Sequence, residues 1–475
     1  MPEKIKLEFY QPSAEFSPMP FWFWNDALDE SEIIRQIHDF RSKGVMGFVI
    51  HPRIGIPDDL GYFDDRFMGY VKLAVSEAAR NGMKVILYDE GMYPSGSAHG
   101  EVVAGNPEFA TGGLRMIEYS CSGVMEIHPP LQAGERVIAT LAVEKSEACC
   151  IVPGSERQLS DTGTCVHFET PTTGRWTVLF LVETFSGGTI RGIHFGEDDG
   201  EPGAPPSADL LNPAAVRKFI RLTHDRYYEV LRDYFGTTVI AMFTDEPDLL
   251  GRGARPGVKP WTKGFLDWYR SRGNTAEDLA ALWFDTGDAN GEKRKHYEQA
   301  VNERLEFSYY SQISKWCEDH GIALTGHPQA SDDIGSLKHF HIPGQDIVWR
   351  WVAPEGELGV EGPHSTMAKC SSDAARHDGR RRNANECFGC CGPRGNHWAF
   401  SMDDMKWYLD WLFVRGVNLV YPHAFFYSID GPKRSGERPP DVGPHNIWWP
   451  YYRDISDYIK RMSWLMTDSV NLTGI

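Results

Sequence analysis

Cysteine is scarce in this chain, with nine in 475 residues. That density excludes the disulfide framework of a small secreted scaffold, and the odd count leaves at least one thiol unpaired within the chain. Long apolar runs are missing too: no window approaches the ~18 uninterrupted apolar residues of a membrane-spanning helix, so no membrane partner is expected. The first ten residues, MPEKIKLEFY, hold no apolar signal core, and a cytoplasmic location is expected. Positive charge is in deficit, with 48 Lys and Arg against 66 Asp and Glu and a net charge of −18. That balance argues against a polyanionic partner such as nucleic acid. The sequence carries no internal repeat and no low-complexity tract.

Aromatics are in surplus. The chain holds 15 Trp, 19 Tyr and 25 Phe, 12% in all. Most must build a core, and some suit the flat apolar faces of sugar rings. The length exceeds one ordinary domain of ~100–200 residues, but α/β barrels routinely run to ~250 or more as one unit. One large domain with an insertion, or two domains, is therefore expected.

The chain alternates strand-like and helix-like segments, which predicts a parallel sheet. Strands are expected at 20–24, 45–50, 84–88, 238–243, 322–325, 346–352, 382–385 and 418–421, with helices at about 29–43, 64–80, 212–234 and 449–466. Asn212 before Pro213 reads as a helix cap. The rhythm breaks from about 118 to 206, where short β-like runs are divided by Gly, Pro, Ser and Thr. The expected fold is an α/β (β/α)8 TIM barrel with an inserted β-rich subdomain. Residues 1–117 carry strands one to three, 118–206 a β-sandwich-like insertion, and 207–475 strands four to eight.

Active sites of such barrels lie at the C-terminal ends of the strands. There the sequence places Trp22, Trp24 and Asn25, then His51 and Arg53, Asp89 and Glu90, Asp245 and Glu246, His327, Trp349 and Trp351, Asn385 and Glu386, and His423. Tyr93 and Tyr427 follow in adjacent loops. Glu246 (FTDEP) and Glu386 (NANECFG) end strands four and seven, which face each other across a barrel. Two opposed carboxylates are what glycoside hydrolysis requires, one protonating the departing oxygen and the other attacking the anomeric carbon or activating water. The tryptophans are expected as sugar platforms, with one of each pair turned to the barrel centre. The remaining polar groups are expected to bind hydroxyls; Asp89 and Glu90 can equally hold a cation or pair with Arg53.

Three histidines, His51, His327 and His423, each stand beside a proline or end a strand, which keeps open a metal-dependent barrel hydrolase. The His339–His341 pair (HFH) lies in a loop. Cys387, Cys390 and Cys391 (CFGCC) lack a second pair and read as thiols packing a loop rather than a zinc ribbon. The run GRRR at 379–382 reads as an ion-paired segment that can brace the Glu386 loop.

Together, PFWFWND, GVMGF…HPR, YDEGMYPSG, TDEP and the NE of strand seven resemble the α-L-rhamnosidases of glycoside hydrolase family 106, over about residues 18–115 and 210–468. The resemblance implies a (β/α)8 enzyme with accessory β-domains, two glutamates inverting the anomeric centre, and a calcium ion near the sugar. By position, Glu246 and Glu386 take the acid and base roles. The same placement matches the large clan of retaining barrel glycosidases, with Glu246 as acid/base and Glu386 as nucleophile. A carboxylate separation of ~5 Å goes with retention and ~6.5–9.5 Å with inversion. The expected function is removal of a terminal sugar, such as the 6-deoxyhexose L-rhamnose, from a carbohydrate or glycoside substrate. A metal-dependent hydrolase and a non-catalytic carbohydrate-binding protein are the alternatives.

Overall fold

A computed structural model describes residues 3–160, 165–436 and 438–470. The parallel strands are numbered here in chain order: β1 (Phe21–Trp24), β2 (Gly47–Pro52), β3 (Lys84–Tyr88), β4 (Val239–Asp245), β5 (Ala323–His327), β6 (Gly344–Asp346), β7 (Ala384–Cys387), β8 (Val420–Pro422) and β9 (Phe425–Phe426). They form two sheets. One has six strands in the order β5-β4-β3-β2-β1-β9, and the other has three, β6-β7-β8. Only His423 and Ala424 separate β8 from β9, so the chain passes from one sheet straight into the other.

Residues on one face of the two sheets share a core: Phe21 and Phe23 of β1, Val49, Ile86, Tyr88, Ala241 and Phe243 meet Ala384, Tyr421 and Phe426. The opposite face packs on the helices, where Trp22, Trp24, Phe48, Ile50, Val85, Leu87 and Met242 join the largest cluster. Strands buried on both faces have to be apolar throughout, as FWFW and FVI are.

Local chemistry sets the helix ends. The helix Glu30–Ser42 starts where Asp29 accepts from Glu32 N at 3.0 Å. The helix Asp65–Arg80 starts where Asp64 accepts from Phe67 N at 2.7 Å. Asn212 caps the next helix by accepting from Ala214 N at 3.0 Å. The single helix expected over 212–234 is instead two, Pro213–Leu222 and His224–Leu231. Thr223 sits between them and its hydroxyl bonds back to Phe219 O at 2.9 Å, a local competitor of the helical ladder.

Strand six also differs from expectation. It is Gly344–Asp346, and Trp349–Val352 is a helical turn. The run VWRWV has strand-like composition, but its tryptophans are drawn into the helix-side core. Strands seven and eight begin two residues later than expected, at Ala384 and Val420.

Between β3 and the Pro213 helix the chain is antiparallel. Gly112–Ser120, Trp176–Phe185 and Arg136–Glu147 form the centre of a sheet joined at one edge by Lys259–Pro260. Val124–Ile127 and Val166–Glu169 make a separate two-stranded ribbon. This region has its own core around Val178, Phe180 and Val182. No helix among the described residues is long and apolar enough to cross a membrane.

Candidate active site

Acids from both parallel sheets converge on one cavity of about 290 Å³. Asp245 and Glu246 come from the end of β4, Asp346 from the end of β6 and Glu386 from β7. Arg53, Arg252 and Arg438 line it from loops and Arg350 from the helical turn Trp349–Val352, together with Phe21, Tyr93 and His423. A larger cavity of about 690 Å³ lies between the helix Lys369–His377 and residues 413–418. Its acid, Asp468, bonds Arg381 at 3.0 Å. The smaller cavity is the one with converging acids, which makes it the candidate site.

The acids are fixed in different ways. Asp245 accepts from Tyr88 OH at 2.5 Å, and its backbone N–H donates to Ser95 Oγ at 2.8 Å. His327 Nε2 lies 3.0 Å from Glu386 Oε2 and 3.5 Å from Asp245 Oδ1. A proton on that nitrogen holds Glu386 in place. Glu246 has a left-handed backbone (φ 42°), and its N–H donates to His327 O at 3.2 Å. Non-glycine residues in that conformation carry strain and cluster at functional sites. Burial, reinforced by Asp245 and Asp346, pushes the Glu246 carboxyl up to about 8. Burial, then Asp245 and Glu246, pushes Glu386 well above the usual carboxylate range. Asp346 rises for the same reasons, burial and then Glu386. Crowded buried acids cannot all ionise, so the group shares protons at neutral pH.

Of the other expected residues, Arg53, Tyr93 and His423 also line the cavity. The Arg53 guanidinium lies over the rings of Phe23 (4.2 Å) and Tyr93 (5.4 Å). His423 is buried, and its Nδ1 has no hydrogen-bond partner among the described residues. His51 lies beneath, stacked on Tyr88 at 3.7 Å, with Nε2 3.2 Å from Arg53 Nη1. Burial and Arg53 hold its pKa well below the ordinary imidazole value. It is therefore a neutral acceptor that orients Arg53. Asp89 is fully buried, accepting from Ser95 Oγ at 2.6 Å.

Eight expected contacts are corrected. Trp22 and Trp24 are two residues apart and share a face. They point to the helices, where both are fully buried, while Phe21 and Phe23 face inward. Trp349 packs against Phe400 and Tyr408, and Trp351 stacks on His364. Asn385 alternates with Glu386 and so turns to the helix side. Asn25 exchanges two hydrogen bonds with the Ser428 backbone. The Tyr427 hydroxyl accepts from Asp29 N at 2.9 Å. Glu90 is also diverted, its carboxylate accepting the backbone N–H groups of Gly91, Gly96, Ser97, Ala98 and His99 at 2.6–3.1 Å.

Asp346, Arg252, Arg350 and Arg438 escaped sequence reasoning. Asp346 was legible: it ends strand six, once that strand is placed three residues long. Arg252 and Arg438 sit in loops, where no periodicity marks them, and Arg350 lies inside the strand-like run VWRWV. Of the remaining motifs, Cys387 and Cys391 are buried thiols whose pKa burial raises. Arg381 pairs with Asp468 and Glu15, and Arg382 donates to Asn418. His341 accepts from Leu324 N at 2.9 Å, away from the cavity.

Asp245, His327 and Glu386 each place a ligand atom within 4.8 Å of the others. Two carboxylates and an imidazole suit zinc or a similar ion. They do not suit calcium, which takes 6–8 oxygen ligands.

No family profile matches the chain, and no curated protein matches it. Its structure is similar to that of a rhamnosidase from Novosphingobium sp. PP1Y, with a TM-score of 0.70 at 16% identity over 98% of this chain and 61% of that one. The chain thus spans about three-fifths of that enzyme's length. A chitobiase from Flavobacterium johnsoniae aligns less well, with a TM-score of 0.37 at 10% identity over 95% of this chain and 52% of that one. At these identities the rhamnosidase likeness is one of fold.

Proposed function

We propose that the protein is a glycoside hydrolase and that its two parallel sheets are the arcs of one (β/α)8 barrel. The observation that carries the reading is the arrival of Glu246 and Glu386, from different sheets, in one cavity. Glu246 is the proton donor. Its raised pKa keeps it protonated at neutral pH, as a general acid must be. Its proton goes to the glycosidic oxygen as the bond to the anomeric carbon breaks. Glu386, held by His327, acts in its ionised form, when the protons shared among the acids lie on its neighbours: it attacks that carbon or takes the proton of the attacking water. His423 and Arg53 bind hydroxyls. The fold shared with a rhamnosidase favours a terminal 6-deoxyhexose such as L-rhamnose as the sugar removed.

A panel of nitrophenyl glycosides tests this, with L-rhamnoside among them. Glu246→Gln and Glu386→Gln are each expected to lose at least ~10²-fold in kcat on whichever glycoside the parent cleaves. Wild-type turnover by both variants sinks the assignment. The Asp245–His327–Glu386 grouping favours a second reading, a metal-dependent hydrolase. It requires turnover that a chelator abolishes and zinc restores, whereas the two-glutamate reading requires turnover that persists in chelator.

A further inference from the structure

Outside the catalytic cavity, a second cluster joins two loops that the proposed chemistry does not use. His99 lies in the loop after β3, and His194 and Glu197 lie on the segment that returns from the antiparallel region. One ligand atom from each falls within 4.8 Å of the other two. His99 Nε2 is 2.9 Å from Glu197 Oε2, and the two imidazole rings are 5.7 Å apart and edge-on. The three side chains are only 12–19% exposed.

We propose that His99, His194 and Glu197 form a zinc site that staples the return segment to the loop after β3. The donor set is two imidazoles and one carboxylate, the three-ligand arrangement zinc takes when a water fills the fourth position. With Zn–N and Zn–O distances of ~2.0–2.2 Å, ligand atoms on one tetrahedral ion stand roughly 3.3–3.5 Å apart. The present separations, 2.9 Å for the His99–Glu197 pair and no more than 4.8 Å for any pair, bracket that spacing. The surroundings are those of a ligand set. His194 Nδ1 donates to Ile56 O at 3.0 Å, which leaves Nε2 as the coordinating nitrogen. Glu197 is held in place as well, its Oε2 accepting the His194 backbone N–H at 2.9 Å while it faces His99. The backbone has been shaped to bring the groups together. Ala98 and His99 both adopt positive φ, 50° and 52°, and a Cβ on Gly192 would lie 2.1 Å from Glu197 Oε2. Calcium and magnesium are excluded by the two nitrogens.

The staple bears on the catalytic cavity. The return segment carries Arg191, whose Nη1 donates to Tyr93 OH at 3.2 Å, and Tyr93 lines the cavity.

The test is zinc chloride titrated into chelator-stripped full-length protein, followed by calorimetry and thermal melting. One zinc per chain is expected, with a rise in melting temperature. His99→Ala and His194→Gln should each lose at least tenfold in affinity and lose the rise, while keeping the parent's circular dichroism. If one of them fails to fold, Glu197→Gln reports the same loss. His327→Ala, in the catalytic cavity, should bind zinc as the parent does. The proposal is overturned if the parent takes up no zinc at millimolar concentration. It is equally overturned if His327→Ala abolishes uptake while His99→Ala and His194→Gln leave it intact.

Discussion

Two neighbouring strand ends carry the same dipeptide and put it to opposite uses. β3 ends in Tyr88-Asp89-Glu90 and β4 in Thr244-Asp245-Glu246, and the two strands pair directly, Tyr88 opposite Phe243. Glu90 is fully buried under five backbone N–H donors. Glu246 lines the cavity, with a carboxyl raised to about 8. The difference lies in the chain that follows. After Glu90 the backbone curls back, with positive φ at Gly96, Ala98 and His99, and aims successive amides at one carboxylate. After Glu246 comes Pro247, which has no N–H to give. An acid at a strand end is thus only a candidate, and the path of the next ten residues decides whether it is consumed as scaffold or left for chemistry.

The largest effect expected from breaking this contrast is at Glu90. Glu90→Ala strands five buried N–H groups at about 1–3 kcal/mol each, so it should yield insoluble protein or one melting far below the parent. A soluble variant with the parent's melting temperature refutes the scaffold role. Glu246→Gln should do the reverse. It keeps the melting temperature near the parent's while kcat falls ~10²–10⁴-fold.

The pH profile sharpens the contrast. In its proposed role Glu246 acts protonated, so kcat should fall as pH rises through about 8. Asp245→Asn removes the nearest like charge and should move that limb to lower pH, by roughly one unit. An unmoved limb assigns it to another group.

Stability should follow a related but separate course. Asp209 and Asp441, outside the cavity, are raised by burial to about 7 and about 8. Raised acids favour the fold fully below the ordinary carboxylate range, and that contribution is lost as pH climbs to about 8. The melting temperature should therefore drop between pH 5 and 8, and Asp441→Asn should flatten the drop. The smallest effect is at Trp24. Trp24→Phe should cost about 1 kcal/mol of stability and leave KM unchanged. A raised KM would return that residue to the sugar.

The β-strand rhythm was legible because parallel strands buried on both faces must be continuous apolar runs, and GFVI and VILY are such runs. The cap at Asn212 was legible for a similarly local reason. Glu246 and Glu386 stood out because each ends a predicted strand, and both line the one cavity. Asp346 was missed because VWRWV looks like a strand until Trp349 is seen packed against Phe400 and Tyr408. Trp22 and Trp24 misled because an aromatic strand reads the same from either side.

Local properties, namely charge, periodicity, capping and the placing of acids at strand ends, are written in the order of residues, because they depend on neighbours a few positions away. Which face of β1 looks inward, which acids share protons and which lie under backbone amides depend on groups far apart in the chain. His327 and Glu386, 59 positions apart, meet at 3.0 Å. Hydrogen bonding and desolvation act over a few ångströms of space, and only the folded chain sets those distances.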